Sequence, residues 1–467
     1  MTYQGARAIR RAPRTFRVFA PQRSAVERIF ALGCFTLLLA VNVSMLSKTG
    51  GVPDRSLITA GMLILCAALF PADALLAVRK SALLLFLAAG LGIQGFLLSM
   101  VNGAPLGDAV QAVIENHVQT AVVLIVAVIL AQICGARACA IAIVGVIGVS
   151  AAVAILQMMN VHLGWSLRMA LGPLANDELK PNVADWRPTG LSYSPIQLAT
   201  QVCLAFGAYA AVRERYRRFE TGRIAADPAI VAALFVFFAA CLASGTRAPI
   251  LGGVIFLVLY ALARRGSWLL LLMTLGGIVA FLIWPLVMDA IQSSAPRVAR
   301  VDDESAATRI VFAYYGFRLF LDNPIGYGLT FDPTAHWGQY WSDLYLIRGA
   351  QGAQVHPLHN YVLSMLNIYG FGLLLFVPLA LKLLGRAKGS LIFFVPYVIE
   401  ILFHNAGPFF SDVILWFAVA AVSAAPIAAP AAVNRFRQTR FAGPVPAQRR
   451  VRRPFARWPA GSGLAPR

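Results

Sequence analysis

The stretch VHPLHNYVLSMLNIYG, residues 355–370, sets polar side chains at the mouth of an apolar run. Pro357 suits the first turn of a helix, so His359 and Asn360 are expected within that turn. A helix start offers unsatisfied N–H groups and positive potential, which attract an anion and disfavour imidazolium. His359 would then stay neutral and able to take a proton from a hydroxyl beside an anion site. The same placement suits a histidine, or Asn360, that only caps a helix. His356 is a weaker candidate that could orient its neighbour. A second polar point is Arg247 in SGTRAP, residues 244–249, a very short turn with small residues around the cation. Its planar guanidinium is fitted to phosphate, although an arginine reaching lipid headgroups would look the same. A third is Arg309 in TRIVFAYYGFRLFLDNPIGYG, residues 308–328, which reads equally well as a snorkelling side chain. Arg318 in that stretch, and Arg187 at the head of RPTGLSYSPIQLA (187–199), are weaker candidates for binding an anion.

What positions these groups follows from composition. Of 467 residues, 59% are hydrophobic and 13% charged, and the mean hydropathy is +0.71. A soluble chain carries about twice that charged fraction. The apolar residues cluster in runs of about 20, the length that crosses a bilayer as a helix. The fold class is therefore all-α and polytopic in a membrane, with about 12 transmembrane helices, expected near 29–46, 57–77, 81–101, 113–133, 139–158, 191–212, 229–243, 249–263, 267–288, 360–383, 390–404 and 410–430. Between the ninth and tenth lies one long extracytoplasmic loop, 289–359, expected to carry an interfacial helix. That helix would begin at Asp302, Asp303, Glu304 and Ser305 and stop at Asn323-Pro324, with Ile310, Phe312, Tyr314, Phe317 and Phe320 along it. The Trp/Tyr/Gly-rich stretch 331–353 would offer exposed rings to a membrane interface or to sugar faces.

The net charge of +20 is unevenly spread. The N-terminal arm, the Arg79/Lys80 turn, the 213–223 loop and the C-terminal tail hold most of the 40 Lys and Arg, whereas the long loops on the other side hold half of the 20 acids. The positive-inside bias gives an even span count with both termini cytoplasmic. The chain then divides into a basic cytoplasmic arm (1–28), helices one to nine (29–288), the periplasmic loop (289–359), helices ten to twelve (360–430) and a basic tail that reads as disordered (431–467). The first span reads as an uncleaved anchor. Basic arms suit anionic lipid better than nucleic acid. None of the six cysteines falls in an outer loop, so no disulfide framework is implied, and Cys134 and Cys139 lack partners at zinc spacing. The Asp302–Glu304 run reads as a solvated helix start rather than a metal site. There is no Walker loop, no dinucleotide fingerprint and no soluble domain for a nucleotide sugar. A transferase built this way needs a donor already in the membrane and no cofactor.

Four stretches taken together resemble the bacterial O-antigen ligase and O-antigen polymerase superfamily of membrane glycan transferases. They are RPTGLSYSPIQLA (187–199), SGTRAP (244–249, with Thr246 where serine is common), the Arg309 helix leading to the Pro-x-x-Gly-x-Gly of 324–328, and HNYVLSMLNIYGFG (359–372), whose glycines stand one residue closer than usual. The resemblance implies a polyprenyl-diphosphate-linked glycan as donor and a glycan or lipid-core acceptor. It implies Arg247 and Arg309 on the donor diphosphate, His359 as the base on the acceptor hydroxyl, and inversion without a metal. The site would face the periplasm from the bacterial inner membrane, with other polysaccharide-assembly proteins as partners. Polymerase and ligase share this donor chemistry; polymerase of O-antigen or exopolysaccharide is slightly preferred. The competing class is a transporter or flippase of lipid-linked sugars, for which Glu400, the one clear acid well inside a span, would be the pointer.

Overall fold

The computed structural model describes residues 23–44, 55–171, 187–221, 225–264, 304–347, 350, 354, 358–387, 389–404 and 412–425. All of them belong to one compact unit, Met1–Pro426. No strand occurs among the described residues. The expected span 267–288, the Asp302-Asp303 helix start, His356 and Pro357, and the basic arm and tail outside these ranges lie outside them.

The first helix, α1, spans Ala25–Ser44. It opens with a capping box, in which Ser24 Oγ accepts the Glu27 N–H at 3.2 Å and Glu27 Oε2 accepts the Ser24 N–H at 2.8 Å. Helices α2 (Arg55–Leu69) and α3 (Pro71–Val101) meet at Phe70. Arg79 and Lys80 were expected to form a turn; they lie instead inside α3, because the break falls where Pro71 can occupy the first helical position without a missing hydrogen bond. Helix α3 has 31 residues, about 46 Å at the usual rise, so it outreaches a hydrocarbon core of about 30 Å.

Helix α4 (Leu106–Val113) passes through a π turn, Ile114–Val118, into α5 (Gln119–Cys134). Helices α6 (Ala136–Met158), α7 (His162–Ala170) and α8 (Pro195–Thr221) follow. Then come α9 (Pro228–Ser244) and α10 (Ala248–Ala263), joined by the Gly245–Arg247 turn. Helix α11 spans Glu304–Asp322, and a 3-10 helix (Pro333–Tyr340) leads into α12 (Trp341–Leu344). Helix α13 (Tyr361–Tyr369) runs through a 3-10 stretch, Gly370–Phe376, into α14 (Val377–Ala387). Helices α15 (Val395–Leu402) and α16 (Val413–Ala424) complete the described residues.

Among the described residues, six helical stretches are long and apolar enough to cross a membrane: Ala25–Ser44, Pro71–Val101, Leu106–Cys134, Ala136–Met158, Pro195–Glu220 and Tyr361–Gly385. Five shorter apolar helices accompany them. Helix α5 is apolar on every side and buried on nearly every side, with α1, α2, α3 and α16 packed around it. The outward side chains of the bundle are apolar as well, among them Ile29, Phe86, Ile141, Phe235 and Val236. A chain with an apolar core and an apolar flank is a multi-pass membrane protein.

A second, smaller core lies under α11. Val311, Phe312, Tyr315 and Leu319 of that helix pack with Trp337, Tyr340, Leu344, Ala350 and Leu358. Tyr315 donates to the Pro333 carbonyl at 2.6 Å and Tyr340 donates to the Asp322 carboxylate. Burial pushes both phenols up, which keeps them neutral donors. The 331–353 aromatics were expected to be exposed. Trp337 and Tyr340 are buried in this core instead, and Trp341 and Tyr345 are the exposed ones.

Candidate functional site

The helix that carries Arg309 and the segment that carries His359 are joined by backbone. Beyond α11 the chain turns through Asn323-Pro324-Ile325-Gly326-Tyr327-Gly328 and lies along the end of α13. The Tyr327 N–H donates to the Asn367 carbonyl at 2.7 Å, the Gly328 N–H to Ile368 at 2.9 Å, and the Phe371 N–H to Pro324 at 2.8 Å. Asn367 Nδ2 reaches back to the Gly316 carbonyl at 2.8 Å, tying α13 directly to α11. Gly326 sits at φ +105°, and a Cβ there would lie 2.6 Å from the Gly370 nitrogen. Gly370 itself has φ +58° and lies against the Ile325 carbonyl. The motif glycines are thus required by a close backbone crossing.

This joint is fixed to the bundle by Gln94 Nε2, which donates to the Tyr369 carbonyl at 2.7 Å. Asn102 Nδ2 donates to Gly326 at 3.1 Å, and His117 Nε2 lies 2.9 Å from the Tyr369 hydroxyl. His117 stands in the π turn and was not among the residues singled out from sequence.

Toward the N-terminal ends of α11 and α13 lies a cavity of about 350 Å³, lined by Arg309, Ile310, Ala313, His359, Asn360, Leu402 and Phe403. Arg309 and His359 are both half-buried at its wall. The His359 ring lies edge-to-face with Phe312, centroids 4.9 Å apart, and Phe312 is itself held in the small aromatic core. His359 and Asn360 were expected inside the first helical turn. Asn360 is the N-cap, its Oδ1 accepting the Leu363 N–H at 3.1 Å, and His359 precedes it. The reason is the strong preference of asparagine for the capping position. His359 still borders the positive end of α13.

Arg247 lies on the turn between α9 and α10. Gly245 there adopts φ +65°, and Ser244 Oγ donates to Thr246 Oγ1 at 3.0 Å. Helix α10 runs antiparallel to the segment that ends in α15: Phe256 and Tyr260 meet Phe393, and Gly252 lies against Pro396 and Ile399. The same register carries the Arg247 end of α10 to the level of Phe403 and His404. Arg247 therefore shares an end of the bundle with the cavity without being among the residues that line it.

Other candidates separate from the cavity. Arg318 is about two and a half turns beyond Arg309, on the opposite side of α11; its Nη2 lies 3.7 Å from Asp343 Oδ2. Arg187 belongs to the loop before α8, which is pinned to α6. There Gln157 Oε1 accepts the Thr189 and Gly190 N–H groups at 2.9 Å, and Ser150 Oγ accepts the Leu191 N–H at 2.9 Å. His356 lies outside the described residues.

Two residues that sequence reasoning did not bring to the site are beside it. Glu400 and His404 form a buried pair, Oε1 to Nε2 3.0 Å, at the end of α15. The His404 ring is edge-to-face with His359 at 6.5 Å between centroids. The i, i+4 spacing of Glu400 and His404 was a signal available in the sequence. Among the described residues no group of three or more His, Cys, Asp or Glu is placed to hold a metal ion.

Comparison with known families adds one finding. Residues 232–377 match the family model described as O-Antigen ligase, the superfamily whose motifs the chain resembles. The matched segment includes Arg247, Arg309, Arg318, His359 and Asn360, and stops short of Glu400 and His404. No curated protein matches the chain.

Proposed function

We propose that the chain transfers a glycan from a polyprenyl-diphosphate carrier to an acceptor hydroxyl at the periplasmic face of a bacterial inner membrane. One observation carries this reading: a single cavity is lined by Arg309 and His359 together, inside the segment that matches the O-antigen ligase family. His359 takes the proton of the acceptor hydroxyl as that oxygen bonds to the anomeric carbon. The bond from that carbon to the phosphate oxygen breaks on the opposite face, so configuration inverts. The departing diphosphate is stabilised by Arg309, with Arg247 joining it from the α9–α10 turn. Two guanidiniums offer the fixed positive charge that a leaving dianion needs, so the reaction requires no metal. Ile310, Leu402 and Phe403 give the cavity an apolar wall beside those charges.

Polymerase and ligase differ in the acceptor, and polymerase is the reading adopted here. Deleting the gene, restoring wild type or His359→Ala, and separating surface and carrier-linked glycans by size tests both. Single repeat units with no long chains identify a polymerase; long chains retained on the carrier identify a ligase. An unchanged profile would return attention to a transporter. Glu400, fully buried in a helix, favours that second reading, and counter-flow of labelled carrier-linked sugar in proteoliposomes would test it.

A further inference from the structure

Glu400 has no exposed surface and His404 is 3% exposed. A carboxylate that stays charged in such a place needs a partner that offsets its desolvation. Its nearest described partner is the His404 imidazole, 3.0 Å away. Among the described residues, Cys203 of α8 and Cys241 of α9 also face Glu400. On the other side of His404 stands His359, ring centroids 6.5 Å apart, and the intervening Phe403 and Leu402 line the same cavity as Arg309.

We infer that Glu400 and His404 are positioning residues for His359. Glu400 Oε1 lies 3.0 Å from His404 Nε2, close enough for its charge to hold that ring in place. The His404 ring in turn fixes the face that His359 turns to the cavity. The buried carboxylate also favours the imidazolium that forms when His359 takes a proton, opposing the repulsion from Arg309. Glu400, fully buried in an apolar helix, is thereby part of the transfer site and not of an ion path. This inference rests on His359 being the base.

The test separates the two claims. The full-length protein, with ring-15N histidines and in lipid nanodiscs, is titrated without substrate, each of its six histidines being assigned by substitution. Glu400→Gln keeps the size and hydrogen-bonding capacity of the side chain and removes the charge. It should lower the His359 midpoint by about one pH unit, a tenfold change in proton affinity. Exposed His162, on α7, should not move. His404→Gln should give a shift of the same sign, the double variant should add little to either, and Glu400→Asp should restore most of it. An unmoved His359 titration in folded Glu400→Gln protein overturns the inference. Whether His359 is the base is read elsewhere, by loss of transfer in His359→Ala; retained transfer there would sink the base and leave the measured coupling as it was found.

Discussion

Arg309 and Arg318 stand on one helix, and helical geometry gives them different surroundings. Arg309 lines the cavity with His359, whereas Arg318 faces the Asp343 carboxylate in a half-exposed pair of the kind worth about 0–1 kcal/mol. Arg309→Ala should therefore reduce transfer by about 10²-fold or more, the effect of removing one charge-stabilising donor. Arg318→Ala should stay within a few-fold of wild type. Membrane vesicles given carrier-linked donor would show the difference. Arg309→Lys should recover only part of the rate, since an ammonium lacks the two-pronged geometry for phosphate. Equal rates for Arg309→Ala and Arg318→Ala would remove Arg309 from the site. Dialysis against EDTA should leave transfer intact if the arginines alone neutralise the leaving group.

At the scale of elements, the contact between α11 and α13 decides the site's geometry. Three backbone hydrogen bonds and the Asn367–Gly316 bond hold it, with Gly326 at a φ that other residues adopt only with strain. Gly326→Ala is expected to destabilise by about 1–3 kcal/mol and to lower activity in step. Thermal unfolding in detergent, read beside transfer, would show both; a stable but inactive variant would mean that the loop touches substrate directly. Asn360→Ala should remove a cap at about 1 kcal/mol, with Asn360→Ser or Asn360→Asp restoring it. If Asn360→Ser proves stable but inactive, the residue does more than cap.

For the whole molecule, charge and side-chain chemistry separate the two ends of the bundle. The end away from the cavity gathers ion pairs: Arg213 with Asp227 at 2.8 Å, and Arg218 and Arg264 on Glu214 at 2.7 and 3.2 Å. The cavity end carries the aromatic core, and α11 there presents a stripe of Ile310, Tyr314, Phe317 and Leu321 to the outside. Such a stripe suits a helix lying at a membrane surface. In a cysteine-free background, a cysteine at Asp343 should react with an impermeant maleimide on intact spheroplasts, and one at Glu220 only after lysis. The reverse pattern would invert the proposed topology.

Much of this was written locally in the chain. Runs of apolar residues have no stable place in water, so composition alone determined the helical membrane class. The stop of α11 at Asn323-Pro324 followed from proline lacking an N–H. The candidate cations and His359 were visible because charge at the mouth of an apolar run is costly enough to need a reason. Helix assignment could not say which aromatic faced where: Phe312 and Phe320 turned inward while Tyr314 and Phe317 turned outward on the same helix. It placed His359 inside a turn that Asn360 in fact caps. The sequence also could not tell that Arg318 faces away from Arg309's cavity, or that Glu400 and His404 stand behind His359, because those relations depend on how α11, α13 and α15 pack. Local propensity and hydropathy are properties of neighbours in the chain; the joining of His359 and Arg309 at one cavity, with the buried Glu400–His404 pair beside His359, is a property of helices far apart in the chain, and only their tertiary packing decided it.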